Sequence, residues 1–308
     1  MAGHGTKAIV AAFFANLGIA IAKFIAFAFT GAASMLAEAI HSLADTGNQA
    51  LLLFGGRSAR REETEMHQFG FARERYFWSF VVALVLFTLG GVFAIYEGIE
   101  KLRHPHDIDS PIWAFGVLLF AILLESYSFR TAIHEARPLK GKGSWWSFIR
   151  RSRSPELPVV LLEDLGALTG LVIALVGVTL AVTTGQARWD AAGSLAIGIL
   201  LVAIATILAI EMRSLLIGES ASPDQADEIT AAIAGAPNVV RLIHMRTEHL
   251  GPEDLLVAAK VEFVGSLSVA ALADAIDVTE AAIRAAVPAV NLIYLEPDLY
   301  NAARPTDD

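Results

Sequence analysis

The second apolar run of the chain carries three polar side chains at a spacing that suits metal binding. His41, Asp45 and Gln49 lie four residues apart, so in a helix all three project from one face. A histidine nitrogen and a carboxylate oxygen at this spacing can both bind one cation, at about 2 Å each. Ionisable groups inside a membrane are costly unless they face a cavity or a partner, so the spacing predicts a metal site. The alternative is that His41 and Asp45 are hydrogen-bonded to each other and serve only to hold neighbouring helices together.

Two adjacent acids lie inside the fifth apolar run, in the segment "LLEDLGALTG". If facing helices bring Glu163 and Asp164 to His41 and Asp45, the acids complete a site of one histidine and several carboxylates. Near a helix start the two acids can instead be solvated, where the helix dipole also favours them. Such nitrogen and oxygen ligands suit zinc. They leave cobalt, manganese, nickel and ferrous iron open as well.

A further carboxylate, Glu125, lies inside the fourth apolar run in "LLFAILLESYSF". A carboxylate at that depth should not face lipid, so we expect Glu125, together with Gln49, to lie on the path of the metal or of protons. The alternative is that Glu125 lies close enough to Arg130 and the membrane surface to be hydrated.

The elements that must position these residues are membrane-spanning helices. The chain has 308 residues, of which 55% are hydrophobic, more than the roughly 45–50% of ordinary soluble domains. A span needs roughly 20 mostly apolar residues. Segments of this kind predict an all-α domain of six transmembrane helices over residues 1–213, at 8–30, 33–55, 76–98, 112–134, 158–184 and 189–213. The chain has no cysteine, so any metal must bind His, carboxylate or amide groups.

The basic residues concentrate in the connections after the second and fourth predicted spans. The first of these connections contains Arg57, Arg60, Arg61, Arg73 and Arg75. By the positive-inside rule, both connections and both termini are expected in the cytoplasm. We therefore expect an integral protein of a bacterial inner membrane. The net charge of −9 argues against nucleic acid as a partner.

The acidic tail, residues 214–308, reads as a small cytoplasmic domain. Its pattern predicts the order αββαβ, with helices at 223–235 and 268–287 and strands at 239–249, 254–264 and 290–296. We expect a ferredoxin-like or metallochaperone-like α/β fold. An open-faced sheet of this size has two edges to cover, which favours a homodimer formed through this domain.

The segments "HSLADTGNQ", "LEDLGALTG", "DAAGSL" and "HQFGFARERYFWS" resemble those of the cation diffusion facilitator family, and the fifth span resembles the zinc transporter 9-like branch of that family. The resemblance covers nearly the whole chain. It implies metal export from the cytoplasm coupled to proton entry, by alternating access within a homodimer.

The resemblance also implies roles for single residues. His41 and Asp45 correspond to the metal ligands of the second span, and Asp164 corresponds to the fifth-span aspartate of the family. The family commonly has a histidine four residues before that aspartate, where this chain has Val160. Valine cannot bind a metal, so Glu163 is our candidate for the replacement ligand.

Two further metal positions of the family are depleted. Glu63, Glu65 and His67 fall where many members carry a loop-borne site, but Phe71 stands where a histidine is expected. The tail keeps polar residues near the cytoplasmic metal positions, namely His244, His249 and Glu296, whereas Lys260 and Tyr294 stand where histidines are often found. We expect the tail to dimerise with little or no bound metal.

Taken together, these features predict an efflux transporter that exchanges a divalent metal, with zinc favoured as the transported substrate, for protons. A metal-binding membrane regulator or scaffold of the same fold without turnover is the alternative, and Val160 favours it. Manganese, iron, cobalt or nickel are alternative substrates. An enzyme is disfavoured, because the sequence contains no nucleophile and base arrangement and no Gly-rich phosphate loop.

Overall fold

The structure, a computed structural model, describes residues 4–30, 33–105 and 111–301, without the side chains of residues 4, 5, 26, 27, 29, 30, 33–41 and 44. The side chain of His41 therefore lies outside the described part. The chain separates into two compact units. The first comprises Met1–Glu62 and Glu74–Arg213, and the second comprises Glu63–Arg73 and Ser214–Asp308.

The first unit is helical. Its elements are α1 (His4–Thr30), α2 (Ala33–Ser58), α3 (Glu74–Val85), a π-helical segment (Leu86–Val92), α4 (Phe93–Arg103), α5 (Pro111–Lys140), α6 (Trp145–Arg151), α7 (Glu156–Thr184) and α8 (Arg188–Ile217). Five segments of the described residues are long and apolar enough to cross a membrane. They are Thr6–Ile25, Glu74–Arg103, Pro111–Lys140, Glu156–Thr184 and Arg188–Ile217. The predicted second span forms helix α2, which is not among these five segments. Helix α6 was not predicted from the sequence.

The third span is continuous although its hydrogen-bonding pattern changes in the middle. Helix α3 passes through the π-helical segment into α4, and the hydroxyl of Thr88 donates to the carbonyl of Leu84 at 3.0 Å. A hydroxyl that binds the preceding turn perturbs helical geometry, and Gly90 and Gly91 follow after Leu89. We attribute the local widening of the helix to these three residues.

Glycines allow the third and sixth spans to touch along their backbones. A Cβ atom built on Gly198 would lie 2.7 Å from the amide nitrogen of Ile95 and 3.0 Å from the carbonyl oxygen of Gly91. One built on Gly98 would lie 2.8 Å from the amide nitrogen of Leu195. Small residues let membrane helices approach this closely, and any larger side chain at these positions would force the helices apart.

The second unit has the predicted order αββαβ. It comprises α9 (Pro223–Ala234), β1 (Val239–Gly251), β2 (Asp254–Phe263), α10 (Val269–Ala286) and β3 (Val290–Pro297). Strand β2 lies in the centre, antiparallel to β1 and parallel to β3. The parallel pair needs a crossover connection, which α10 provides. Ser222 caps α9 in a capping box with Gln225, and Ser268 caps α10.

Alternation along β2 builds the core of this unit. Every second residue from Leu255 to Phe263 is buried, as expected for a sheet with one covered face. Ile229 and Ile233 of α9 and Ile283 of α10 join these residues in one apolar cluster. A helical membrane domain followed by a small three-stranded α/β domain confirms the predicted fold class.

Candidate metal centre

The first turns of α7 are buried inside the first unit. All residues from Glu156 to Asp164 are buried. The carboxylate of Glu156 accepts two hydrogen bonds from the guanidinium of Arg75 on α3, one of them from Nη2 at 2.9 Å. A two-pronged ion pair of this kind fixes orientation as well as adding energy. It anchors the beginning of α7 against α3.

The carboxylate of Glu163 is bound by two amides of α2. Asn48 Nδ2 donates to Oε1 of Glu163 at 3.1 Å, and Gln49 Nε2 donates to Oε2 at 2.6 Å. All three side chains are buried, with Gln49 fully so. The other amide atoms, Asn48 Oδ1 and Gln49 Oε1, have no hydrogen-bond partner in the described part of the chain. An oxygen buried without a partner is costly, so this corner has acceptor capacity that a cation or water can use.

Asp164 is bound from the opposite side, by α5. Ser128 Oγ donates to Asp164 Oδ2 at 2.8 Å, and both residues are 1% exposed. Glu125 lies three residues before Ser128, about one helical turn away, and is itself buried. The carboxylate of Glu125 is close enough to Asp164, Asp45 and Lys23 to interact with them electrostatically. Glu125 therefore faces the protein interior, which favours its placement near the path over the hydrated alternative.

Asp45 of α2 completes the carboxylate group. It is half-buried and lies within Coulombic range of Glu163, Asp164 and Glu125. The structure thus brings together Asp45, Gln49, Glu125, Glu163 and Asp164, which come from three helices. His41 lies one turn before Asp45 in α2, and its side chain is outside the described part. Among the described side chains, no three His, Asp or Glu groups are arranged to share a metal ion.

A buried lysine balances part of this negative charge. Lys23 of α1 is 6% exposed, and its ammonium group donates to Ser42 Oγ of α2 at 2.9 Å. Ser42 lies three residues before Asp45. An ammonium group at this depth faces inward because exposing it to lipid is costly. The site therefore combines four carboxyl groups with at least one amino group.

Four contributors to this arrangement were not singled out as site residues from the sequence: Lys23, Ser42, Asn48 and Ser128. Lys23 and Asn48 each make an inward hydrogen bond to a neighbouring helix. A lysine inside an apolar run and an asparagine beside Gln49 were available signals. Serine is common at helix contacts in membranes, so Ser42 and Ser128 gave no distinctive signal.

The other predicted positions lie in the second unit. Glu65 and His67 are exposed, and the ring of His67 lies 3.4 Å from the hydroxyl of Thr64 through Nδ1 and 4.6 Å from the ring of Phe71. In the tail, His244 Nε2 accepts from Arg246 Nε at 3.1 Å. Lys260 pairs with Glu296 at 3.6 Å. His249 is buried, with Nδ1 at 3.3 Å from the carbonyl oxygen of Gly251.

The chemistry available to the first-unit group is that of oxygen ligands with one histidine nearby in sequence. Carboxylates bind zinc at about 2.0–2.2 Å, and a transport site can hold a water in its fourth position. A carboxylate-rich group also accepts harder cations such as Mn²⁺. Protons compete with the metal for the same lone pairs, so such a group can couple metal release to proton uptake.

The chain is similar to a known family of membrane domains and to several known proteins. Residues 9–217 match the model of the cation efflux transmembrane domain. A Xenopus laevis protein named proton-coupled zinc antiporter SLC30A9, mitochondrial, is 37% identical over 268 residues, which are 86% of this chain and 48% of that protein. The human protein of the same name is 34% identical over 245 residues, 79% of this chain and 43% of the relative.

A more distant relative, metal tolerance protein C4 of Arabidopsis thaliana, is 29% identical over 270 residues, 86% of this chain and 59% of that protein. The chain therefore spans about half the length of the curated relatives it matches, 48%, 43% and 59% in these three cases.

Proposed function

The chain belongs to the cation efflux family, and on that premise we propose that it transports a divalent metal cation, zinc before others, in exchange for protons. Membership confirms the resemblance read from the second and fifth spans, including its zinc transporter 9-like branch, because SLC30A9 proteins are among the relatives. Those relatives are named proton-coupled zinc antiporters, which supports both the substrate and the coupling proposed here.

The observation that carries the proposal is the buried carboxylate group shared by α2, α5 and α7. Asp164 and Glu163 are 1% and 5% exposed, and each is hydrogen-bonded to a different neighbouring helix. Buried carboxylates are stable only with a compensating cation, proton or hydrogen bond. A group that needs either a metal or protons is suited to exchanging one for the other.

We propose His41, Asp45 and Asp164 as ligands of the transported metal, with Glu163 in the place that a histidine at position 160 fills in many family members. Val160 is fully buried and supplies no ligand. Glu163 is held through Asn48 and Gln49, so it can bind the metal only when it loses at least one of these amides or through a lone pair they leave free. Glu125 and Gln49 would then border the path of the metal or the protons.

The mechanism we propose is alternating access in a homodimer whose second unit supplies the subunit contact. Metal binding on one side would displace protons from the carboxylates. After reorientation, protons from the other side would replace the metal. The sheet of the second unit, with edge strands β1 and β3, suits pairing between copies.

The protein is an integral membrane protein, and we propose that its Arg-rich connections and both termini face the side from which metal is removed. The positive-inside rule supports this orientation. The sequence suggested a bacterial inner membrane, whereas the SLC30A9 relatives are named as mitochondrial. Labels placed at Arg60 and in the tail should react from one and the same side of sealed vesicles, and reaction from opposite sides would contradict the orientation.

The decisive experiment is metal uptake by the purified chain in proteoliposomes. Zinc, manganese, cobalt, nickel and iron would each be offered with and without a pH gradient. We expect zinc flux that rises with the gradient and falls to its level without a gradient when a protonophore is added. Tight metal binding without any flux would instead support a regulator or scaffold of the same fold.

A further inference from the structure

The short helix α6 lies at the level of the membrane surface. In α8 no charged residue occurs between Asp190 and Glu211, a stretch of about the 20 residues that cross the hydrocarbon. Glu211 therefore marks the boundary at the Arg-rich end of the first unit. Arg150 of α6 pairs with Glu211, with Nε and Oε1 3.1 Å apart. The ion pair places α6 beside that boundary, at the depth of lipid headgroups.

The side chains of α6 are those of an interfacial helix. Trp145 and Trp146 are 39% and 53% exposed, whereas Phe148 is buried against the protein. Exposed tryptophans are typical of the membrane interface, where their rings lie at the headgroup level. Arg150 and Arg151 follow in the last turn. A basic helix with large aromatic side chains favours a surface that carries anionic lipids.

An open cleft lies on α6. It has a volume of about 390 Å³ and is lined by Ser144, Trp146, Ser147, Arg150 and Arg151. All five lining residues come from one stretch of the chain, so the cleft is open on its outer side. The lining combines two guanidinium groups, two hydroxyls and one indole, and one of the guanidinium groups, that of Arg150, is also paired with Glu211. The ligand that fits such a lining is a negatively charged oxyanion that also presents an apolar part.

We propose that this cleft binds the headgroup of an anionic phospholipid of the surrounding membrane. Guanidinium groups recognise phosphate through paired hydrogen bonds, and the serine hydroxyls can donate to the remaining oxygens. The depth fixed by Arg150 and Glu211 brings the cleft to where lipid phosphates lie. Basic pockets beside membrane helices bind such headgroups elsewhere. The site is separate from the carboxylate group on α2, α5 and α7.

The test uses the purified full chain in detergent. A ligand that binds only the folded protein raises its thermal midpoint, so dioctanoyl phosphatidylglycerol, dioctanoyl phosphatidylcholine and inorganic phosphate would each be titrated. We expect phosphatidylglycerol to raise the midpoint of the unmodified chain most. Arg151→Gln should weaken the apparent affinity for phosphatidylglycerol about tenfold, since a hydrogen bond to a charged group is removed.

Two further variants separate a built site from general surface charge. Lys142→Gln removes one positive charge from the same connection without touching the cleft, so it should change the affinity much less than Arg151→Gln. Ser147→Asp places a negative charge in the cleft and should abolish binding. It should leave α6 intact, because Ser147 is the third residue after the N-cap Ser144, where an acid favours the helix.

Three results would overturn the proposal. Equal losses in Arg151→Gln and Lys142→Gln would mean that only net charge matters. An equal shift with phosphatidylcholine would mean that acyl chains bind without headgroup recognition. A full shift with inorganic phosphate alone would make the cleft a phosphate site and not a lipid site.

Discussion

Two helix contacts in the first unit are built in opposite ways. Between α2 and α7 the contact is polar, since Asn48 and Gln49 both bind Glu163. Between the third and sixth spans the contact is made by glycines, with Gly91, Gly98 and Gly198 against backbone atoms of the facing helix. The first contact is made of groups that water, protons or a cation can replace. The glycine positions of the second contact have no such replaceable partner, and its polar pair of Lys101 with Asp190 lies at the beginning of α8.

This difference indicates that the two contacts have different roles in the first unit. Hydrogen bonds to a carboxylate can be exchanged for a metal or a proton at modest net cost, because each alternative partner compensates the loss of the other. Backbone contact at glycines depends on shape, and a small displacement forfeits much of its dispersion energy. Under the transport function proposed above, we expect α2 and α7 to change their contact, while the third and sixth spans move as one body.

The largest effect should come from removing the carboxylate of Asp45, which lies on α2 beside the polar contact. Asp45→Asn is expected to reduce zinc flux more than about 100-fold, because even the outer partners of metal ligands are worth 10–100-fold. His41→Ala should have a comparable effect. Zinc flux into proteoliposomes and the thermal midpoint would be measured together, and the midpoint should stay close to that of the unmodified chain.

Asp190→Asn is the matched control for Asp45→Asn. Asp190 is also an aspartate of a long apolar helix, but it pairs with Lys101 at 3.1 Å and lies away from the carboxylate group. It should leave most of the flux. Flux lost equally in both variants, or retained in Asp45→Asn, would contradict the assignment of the polar contact as the transport site.

The second prediction concerns the glycine contact. Gly198→Ala should destabilise the chain by about 2 kcal/mol, the typical cost of overpacking, because the new Cβ would meet Ile95 and Gly91. Gly116→Ala is the control, since a Cβ there has no heavy atom within 4 Å. Alanine should raise stability at that position by about 0.5–1 kcal/mol. Thermal midpoints of both variants would be compared, and equal midpoints would refute a glycine-dependent contact.

Much of the fold could be predicted from the sequence, because the hydrophobic pattern of a segment is regular where its surroundings are the same along its whole length. Residues in lipid must be apolar over a whole span, and a sheet with one buried face alternates as β2 does. This regularity allowed the order αββαβ to be predicted, and the structure confirms it. Helix α6 was missed because its seven residues are too few for a periodic pattern. The widening of the third span depends on Thr88 and two glycines, a combination that has no reliable signature.

The carboxylates of the site and Gln49 could be singled out from the sequence. Asp45, Glu125, Glu163 and Asp164 stand out because a carboxylate inside an apolar run is costly. Gln49 stands out by its four-residue spacing from Asp45. The other partners do not stand out, because only the packing of α5 and α2 against α7 selects Ser128 and Asn48. Whether Glu163 is a ligand depends on such contacts and stays a prediction.

The third prediction adds a ligand to the α7 side of the polar contact. Val160→His should shift the metal preference toward zinc by about tenfold relative to manganese, because imidazole suits zinc whereas manganese prefers oxygen ligands. Val159→His is the control, since Val159 is equally buried but points about 100° away around the helix. The ratio of zinc to manganese affinity would be measured by calorimetry. A similar shift in both variants would show that the imidazole acts without a specific place in the site.

The last and smallest expected effect is that of Glu163→Gln. We expect it to weaken metal affinity severalfold and to change the ranking of metals, because a charged ligand is replaced by a neutral one. Metal affinities for zinc, manganese and iron would be measured at low and high salt. Salt matters because a carboxylate that only attracts cations from a distance is screened, whereas a direct ligand is much less so.

Asn48→Ala separates the two roles of Glu163, since it removes a hydrogen bond of 3.1 Å between α2 and α7 and leaves the carboxylate in place. If Glu163 is a ligand, Asn48→Ala should preserve the ranking of metals and can even raise affinity by freeing a lone pair. If Glu163 only ties α7 to α2, each single variant should lower the thermal midpoint. The double variant should then lose little more than either one, because residues in one network are not additive. An unchanged ranking in Glu163→Gln with such non-additive loss would leave His41, Asp45, Asp164 and a water as the site.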